Sequence, residues 1–228
     1  NMHIFYAIKN QNYKAILLLF QLQPNISLKL GNHSTPSQNN IDNVLHYASQ
    51  YLSAKLCSKT DKTQDILKNI FLIILAKMKR QKIDINSLNT NRLSALYLAL
   101  AHENSIATEI LLMNKNVDIS PLLNKHIYQI ISEEFFKQLF DIIKNISTLY
   151  NNGIGNFVLK QGILNKTISN EFINDQTNNI HHKLFQYSLE DSCNFHIISY
   201  LVERKYIELN HKLLSKDNNE SIKIACEL

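Results

Sequence analysis

Asp191, Cys193 and His196 lie within one short stretch. In a helix Cys193 and His196 would sit one turn apart, and a thiol beside an imidazole base is a workable nucleophilic pair. His196, however, directly precedes the apolar Ile197-Ile198. That places it at the start of a packing helix, where such neighbours are structural. His181-His182 could supply two metal ligands, but no third ligand has helix or strand spacing to them. The dinucleotide, phosphate-loop, zinc-protease and nucleophile-elbow motifs are absent. The reading is of a chain that is not an enzyme, with no catalytic residue, no metal ligand and no cofactor.

Composition narrows the remaining classes. Hydrophobic residues make up 45% of the 228 positions, enough for an ordinary core. With only 4 Gly and 3 Pro, helices are favoured over a turn-rich β architecture. The net charge of +5 is mild. Its densest cluster, Lys77, Lys79, Arg80 and Lys82, follows the apolar run from Ile70 to Leu75. Basic residues there complement a helix C-terminus, so nucleic acid is not expected as a partner. The three cysteines, Cys57, Cys193 and Cys226, form no CxxC and point to a reducing, cytoplasmic setting. No apolar run approaches the roughly 20 residues of a membrane span, and no signal peptide is seen.

The elements that would position a functional surface appear as a repeat. Apolar, any residue, apolar, then Ala or Ser recurs as Ile4-Phe5-Tyr6-Ala7, Leu45-His46-Tyr47-Ala48, Leu96-Tyr97-Leu98-Ala99, Phe185-Gln186-Tyr187-Ser188 and Ile222-Lys223-Ile224-Ala225. A triplet follows four of these: Asn25-Ile26-Ser27, Asp84-Ile85-Asn86, Asp118-Ile119-Ser120 and Glu208-Leu209-Asn210. Aliphatic runs lie between the two patterns. A short helix with a small residue on its contact face lets a longer aliphatic helix pack behind it. The triplet then enters a turn, where Asp and Asn can bond the backbone. One such pair cannot bury its own apolar face, so pairs must stack. Tyr6, Tyr47, Tyr97 and Tyr187 read as packing residues, not as a base-stacking platform. Ala99 should face the neighbouring helix with little room to spare.

This arrangement resembles the ankyrin repeat over about two-thirds of the chain. The best copy runs from Asp84 to Ser120, and Asn43-Val44-Leu45-His46-Tyr47-Ala48 is closest to the family signature. The resemblance implies an all-α, ankyrin-type helical-repeat solenoid with divergent repeats and helical insertions. It gives His46 a structural role, tying adjacent turns. It also implies binding of a protein partner on the concave face, with the chain a monomer. The expected binding residues are Lys9, Asn10, Gln50, Tyr51, His102, Glu190 and Asp191, which end the inner helices beside Ala101, and Asn89, Asn91 and Arg92 at a turn tip. In place of the family's turn glycines, Asn91, Asn104 and Asn116 are expected to take left-handed conformations.

Residues 1–120 read as about three repeats, with an insertion near 53–64 and a long finger through Gly31–Asn40. Residues 121–178 read as a divergent helical repeat or insertion, with two helices between Asn124 and Tyr150 and two short ones from Asn156 to Thr177. Residues 179–228 read as one repeat plus the start of another, so the natural protein is expected to continue and Ser221–Leu228 to be exposed. By analogy with ankyrin proteins of AT-rich genomes, the chain could be an effector delivered into a host cytoplasm by an intracellular bacterium, or a protein of an Asn-rich protozoan. The alternative function is a fragment of a larger enzyme whose repeats present substrate to a catalytic domain outside or inserted in this chain.

Overall fold

The computed structural model describes residues 2–30, 42–53, 61–146 and 154–165, and these are helical. Among the described residues there is no strand, only an isolated antiparallel bridge between Lys29 and Asn43. In chain order the helices are α1 (Met2–Lys9), α2 (Tyr13–Leu22), α3 (Val44–Tyr51), α4 (Asp61–Arg80), α5 (Ala95–Ala101), α6 (Ser105–Leu112), α7 (Ile127–Ile130), α8 (Glu133–Asn145) and α9 (Ile154–Leu164). A 3-10 turn at Ser120–Leu123 precedes α7. The chain divides into two compact units, Asn1–Gly155 and Asn156–Leu228. Of the second unit only residues 156–165 are described, and there Val158 and Leu159 are buried.

Helix starts follow from short polar side chains that accept bonds from orphan amides. Asn12 caps α2 through Ala15 N–H, Ser94 caps α5 through Tyr97 N–H, Asn104 caps α6 through Ala107 N–H and Ser132 caps α8 through Phe135 N–H. Buried positions then recur at helical spacing. In α4 they are Leu67, Ile70, Phe71, Ile74 and Met78, and in α8 they are Phe135, Phe136, Leu139, Phe140 and Ile143.

Packing in the first unit follows a regular order. The first helices touch in succession, α1 on α3, α3 on α5, α5 on α7. The second helices do the same, α2 on α4, α4 on α6, α6 on α8. Within pairs, α1 packs on α2, α3 on α4 and α5 on α6. Ala7, Ala48 and Ala99 are buried in the first-helix row, where a small side chain permits close approach.

The turns correct one expectation. Among the described residues the left-handed non-glycine positions are Gln11, Lys82, Arg92 and Glu103, at φ between 52° and 61°, and not Asn91, Asn104 or Asn116. Three of these four end a helix in the same way. The amide of Gln11 bonds Ile8 and that of Asn12 bonds Ala7; Glu103 bonds Leu100 and Asn104 bonds Ala99; Lys82 bonds Lys79 and Ile83 bonds Met78. For Gln11 and Glu103 this paired closure puts the left-handed residue one place before the next helix's cap. Asn104 is thereby free to serve as an N-cap at φ −88°. Two of the triplets form the expected side-chain turns, with Asp84 accepting from Asn86 N–H at 3.0 Å and Asp118 from Ser120 N–H at 2.9 Å, while Glu208-Leu209-Asn210 lies outside the described residues. The backbone and hydroxyl bonds from Ser120 hold the Asp118 carboxyl below the usual carboxylate range.

Of the segment read as an insertion, 54–60 lies outside the described residues, and Asp61–Gln64 opens α4. The finger has a closed base: Leu30 N–H donates to Asp42 C=O at 2.8 Å and Val44 N–H to Leu28 C=O at 2.8 Å. Residues 31–41 between them, and everything after 165, including the repeat expected at 179–228, lie outside the described residues.

Candidate functional site

The side of α1, α3 and α5 that their partner helices leave uncovered is the candidate surface. On α1 it shows Tyr6, Lys9 and the following Asn10, all exposed; on α3, half-buried Tyr47, Gln50 and Tyr51; on α5, half-buried Tyr97 and Ala101, then exposed His102. The Phe5 and Tyr47 rings meet edge-on at 5.0 Å between centroids, and Tyr47 meets Tyr51 at 5.7 Å. An aromatic strip therefore runs from α1 across α3, with buried Phe5 backing Tyr47 from within and Tyr47 and Tyr51 partly open to solvent. Tyr6 is 58% exposed, so it is not the packing residue that its place in the repeat suggests. None of α1, α3 or α5 carries an Asp or Glu.

A polar network fixes where α3 begins. Asn43 Oδ1 accepts from the amides of Leu45 and His46, and His46 Nδ1 accepts from Asn43 N–H at 3.1 Å. With Nδ1 accepting, Nε2 carries the proton and donates to Ser87 C=O at 2.9 Å. Asn43 Nδ2 also donates to Ser87 Oγ. His46 thus holds the start of α3 to the turn that follows α4. Burial pulls its pKa below that of an ordinary imidazole, outweighing the Ser87 carbonyl and the Asp42 charge. Partial desolvation of the ring, on a residue that is otherwise exposed, also lowers the His102 pKa. Tyr47 is pushed up by burial first and then by the neighbouring Asp42 and Tyr51.

The turn tip between α4 and α5 closes on itself. Asn89 N–H donates to Leu93 C=O, while Asn89 Oδ1 accepts from the amides of Asn91 and Leu93. Asn89 is therefore 7% exposed and acts as the strut of the tip, not as a contact residue. Asn91 and Arg92 are exposed there. Thr90 donates through its amide and hydroxyl to Asp42 Oδ1, both at 3.1 Å, which ties this tip to the finger base.

The expected binding residues separate into two groups. Lys9, Asn10, Gln50, Tyr51 and His102 share the C-terminal ends of three successive helices. Asn91 and Arg92 lie at the other end of α5, whose 7 residues span roughly 10 Å. Glu190 and Asp191, like Cys193, His196 and the His181-His182 pair, lie outside the described residues. Sequence reasoning did not select Tyr6 and Tyr47 as contact residues, although their recurrence before the small residue marked them. It also did not select Asp42 and Thr90, whose pairing over 48 positions leaves no local signal.

The basic cluster has a mainly structural member. Lys77 is buried, donates to Pro24 C=O at 2.8 Å and lies 5.3 Å from the Phe20 ring centroid. Desolvation and then Arg80 lower its pKa. Among the described residues no group of three His, Cys, Asp or Glu could hold a metal ion. Among them too, no helix is long and apolar enough to cross a membrane. No family model, curated protein or solved structure matches the chain.

Proposed function

We propose that the chain is a protein-binding scaffold of ankyrin type, a solenoid of helix pairs that takes a protein partner along the face formed by α1, α3 and α5. The aromatic pair Tyr47–Tyr51, backed by buried Phe5 and flanked by exposed Tyr6, Lys9 and His102, carries this reading. Amphipathic rings dominate contact energy in interfaces because they bury much area at little entropic cost. The polar network behind the strip supports the reading, since it holds the face in one register before a partner arrives. In this account the chain presents a surface and does no chemistry of its own. It acts in a reducing cytoplasm, and delivery into a host cell belongs to the same reading.

Tyr6→Ala together with Tyr51→Ala tests the assignment by affinity capture of partner protein from the cytoplasm of the producing cell and of its host. The double variant should lose captured partner by tenfold or more. Leu72→Ala, an exposed change on α4, should lose none. Equal capture by the parent and the Tyr6/Tyr51 variant would reject this face.

A further inference from the structure

The first helix pair carries the same turn as the third. Gln11 and Glu103 are both left-handed, and the next residues, Asn12 and Asn104, bond back to Ala7 and Ala99 at 2.9 and 2.8 Å. Both Asn side chains then cap the following helix. This equivalence matches Ala15 with Ala107, Leu18 with Ile110 and Leu19 with Leu111. In the third pair these positions are covered: Asn104 is 1% exposed and Ile110 9%, and Ala107 and Leu111 are buried. In the first pair Leu18 is 52% exposed, Asn12 is exposed, and Ala15 and Leu19 are half-buried. Leu22 is exposed as well. The difference lies in the neighbours. Among the described helices α6 packs against both α4 and α8, while α2 packs chiefly on α1 and α4. The Asn104 amide also donates to the carbonyls of Ala48, Ser49 and Leu52 at the end of α3.

We propose that this open side of α1 and α2 is a docking surface for one further helix pair, laid in line with the others. The carbonyls ending its shorter helix would meet the Asn12 amide, as those of α3 meet Asn104. Its longer helix would cover Ala15, Leu18, Leu19 and Leu22. Continuity with the interface between the α3–α4 and α5–α6 pairs sets this occupant. A second copy meeting the same face would bring amide against amide and offer no helix-end carbonyls. The solvent side of α8, with Glu134, Gln138, Asp141 and Lys144 exposed, does not match a leucine face. The inference rests on helix packing alone and is independent of the partner-binding reading.

A chain in which residues 42–94 are repeated directly before His3 supplies such a pair, in the register that α3 and α4 hold against α5. The extended chain should melt at least about 5 °C higher than the parent. A thiol at Leu18→Cys should react at least tenfold more slowly in the extended chain, and Asn12→Ala should remove most of the gain in melting temperature. An unchanged melting temperature overturns the proposal, as does undiminished thiol reactivity, a gain that survives Asn12→Ala with Leu18→Ser, or an extended chain that does not fold as a monomer. Dimerisation of the parent chain that Leu18→Ser abolishes would give the face to a second copy and also overturn it.

Discussion

Along the first-helix row, neighbouring pairs are joined by polar groups that are themselves buried: Asn43, His46 and Asn104. Along the second-helix row most of the buried groups are apolar, among them Phe71, Ile74, Leu111, Phe135 and Leu139, and the ion pairs lie at the surface; the polar links there, from Lys77 to Pro24 C=O and from Gln81 to Ile26 C=O, tie the end of α4 to the segment after α2. Apolar burial supplies most of the driving force but tolerates small slips between neighbours. A buried amide that must meet three carbonyls does not, because each group left unpaired costs its desolvation. In the row bearing the candidate surface, buried hydrogen bonds therefore help to set the register between pairs. For this protein we take that as the use of its buried polar groups.

The comparison can be broken at its strongest point. Asn104→Ala removes the α6 cap and strands carbonyls at the end of α3, so we expect a loss of about 2–4 kcal/mol in chemical denaturation. A loss under 1 kcal/mol would mean that water replaces the amide and that the polar joint is not essential. Ala99→Leu comes next. Ala99 is buried where α5 meets α3 and α6, and overpacking it should cost about 1–3 kcal/mol. Equal thermal stability of variant and parent would show that the row has slack there.

His46 sharpens the contrast through pH. Its folded pKa is lowered, so the unfolded chain binds the proton more readily. The stability it contributes is full above the unfolded value of about 6.5 and is lost as pH falls below it. Protonation would also set Nδ1–H against Asn43 N–H. Denaturation midpoints should therefore fall as pH drops below about 6.5, and His46→Gln should flatten that slope. A slope unchanged in the variant would move the effect elsewhere. The smallest expected effect lies on the other row. Lys68 and Glu109 join α4 to α6 at 3.0 Å, but both are more than a third exposed. Lys68→Ala should cost under about 1 kcal/mol, and less in high salt.

Much of the helical order was legible because it is local. Small residues at Ala7, Ala48 and Ala99, aliphatic runs behind them and Asp-aliphatic-Asn triplets each report one element, and the buried positions of α4 follow from apolar spacing. Where reasoning failed, the deciding contact was distant. Asn104 looked like a left-handed turn residue because Asn tolerates that conformation, yet its amide is claimed by α3 more than 50 positions earlier. The burden of positive φ falls on Glu103, which has no local preference for it. Asn89 looked like an exposed tip for the same reason: polar residues in loops usually face water, and here the side chain holds the loop shut. Tyr6 stays open although it occupies the place that Tyr47 half-buries, because burial depends on which helix stands alongside.

Site-resolved photo-crosslinking tests the central claim most directly. A crosslinking side chain is placed in turn at Tyr6, Tyr51 and His102 on the first-helix row and at Leu72 on α4, and the protein is irradiated in cytoplasm of the producing cell and of its host. The account predicts that the first three capture one and the same polypeptide and that Leu72 does not. Capture of that polypeptide at Leu72, with none at Tyr6 or Tyr51, would place the binding surface on the opposite side and contradict the account.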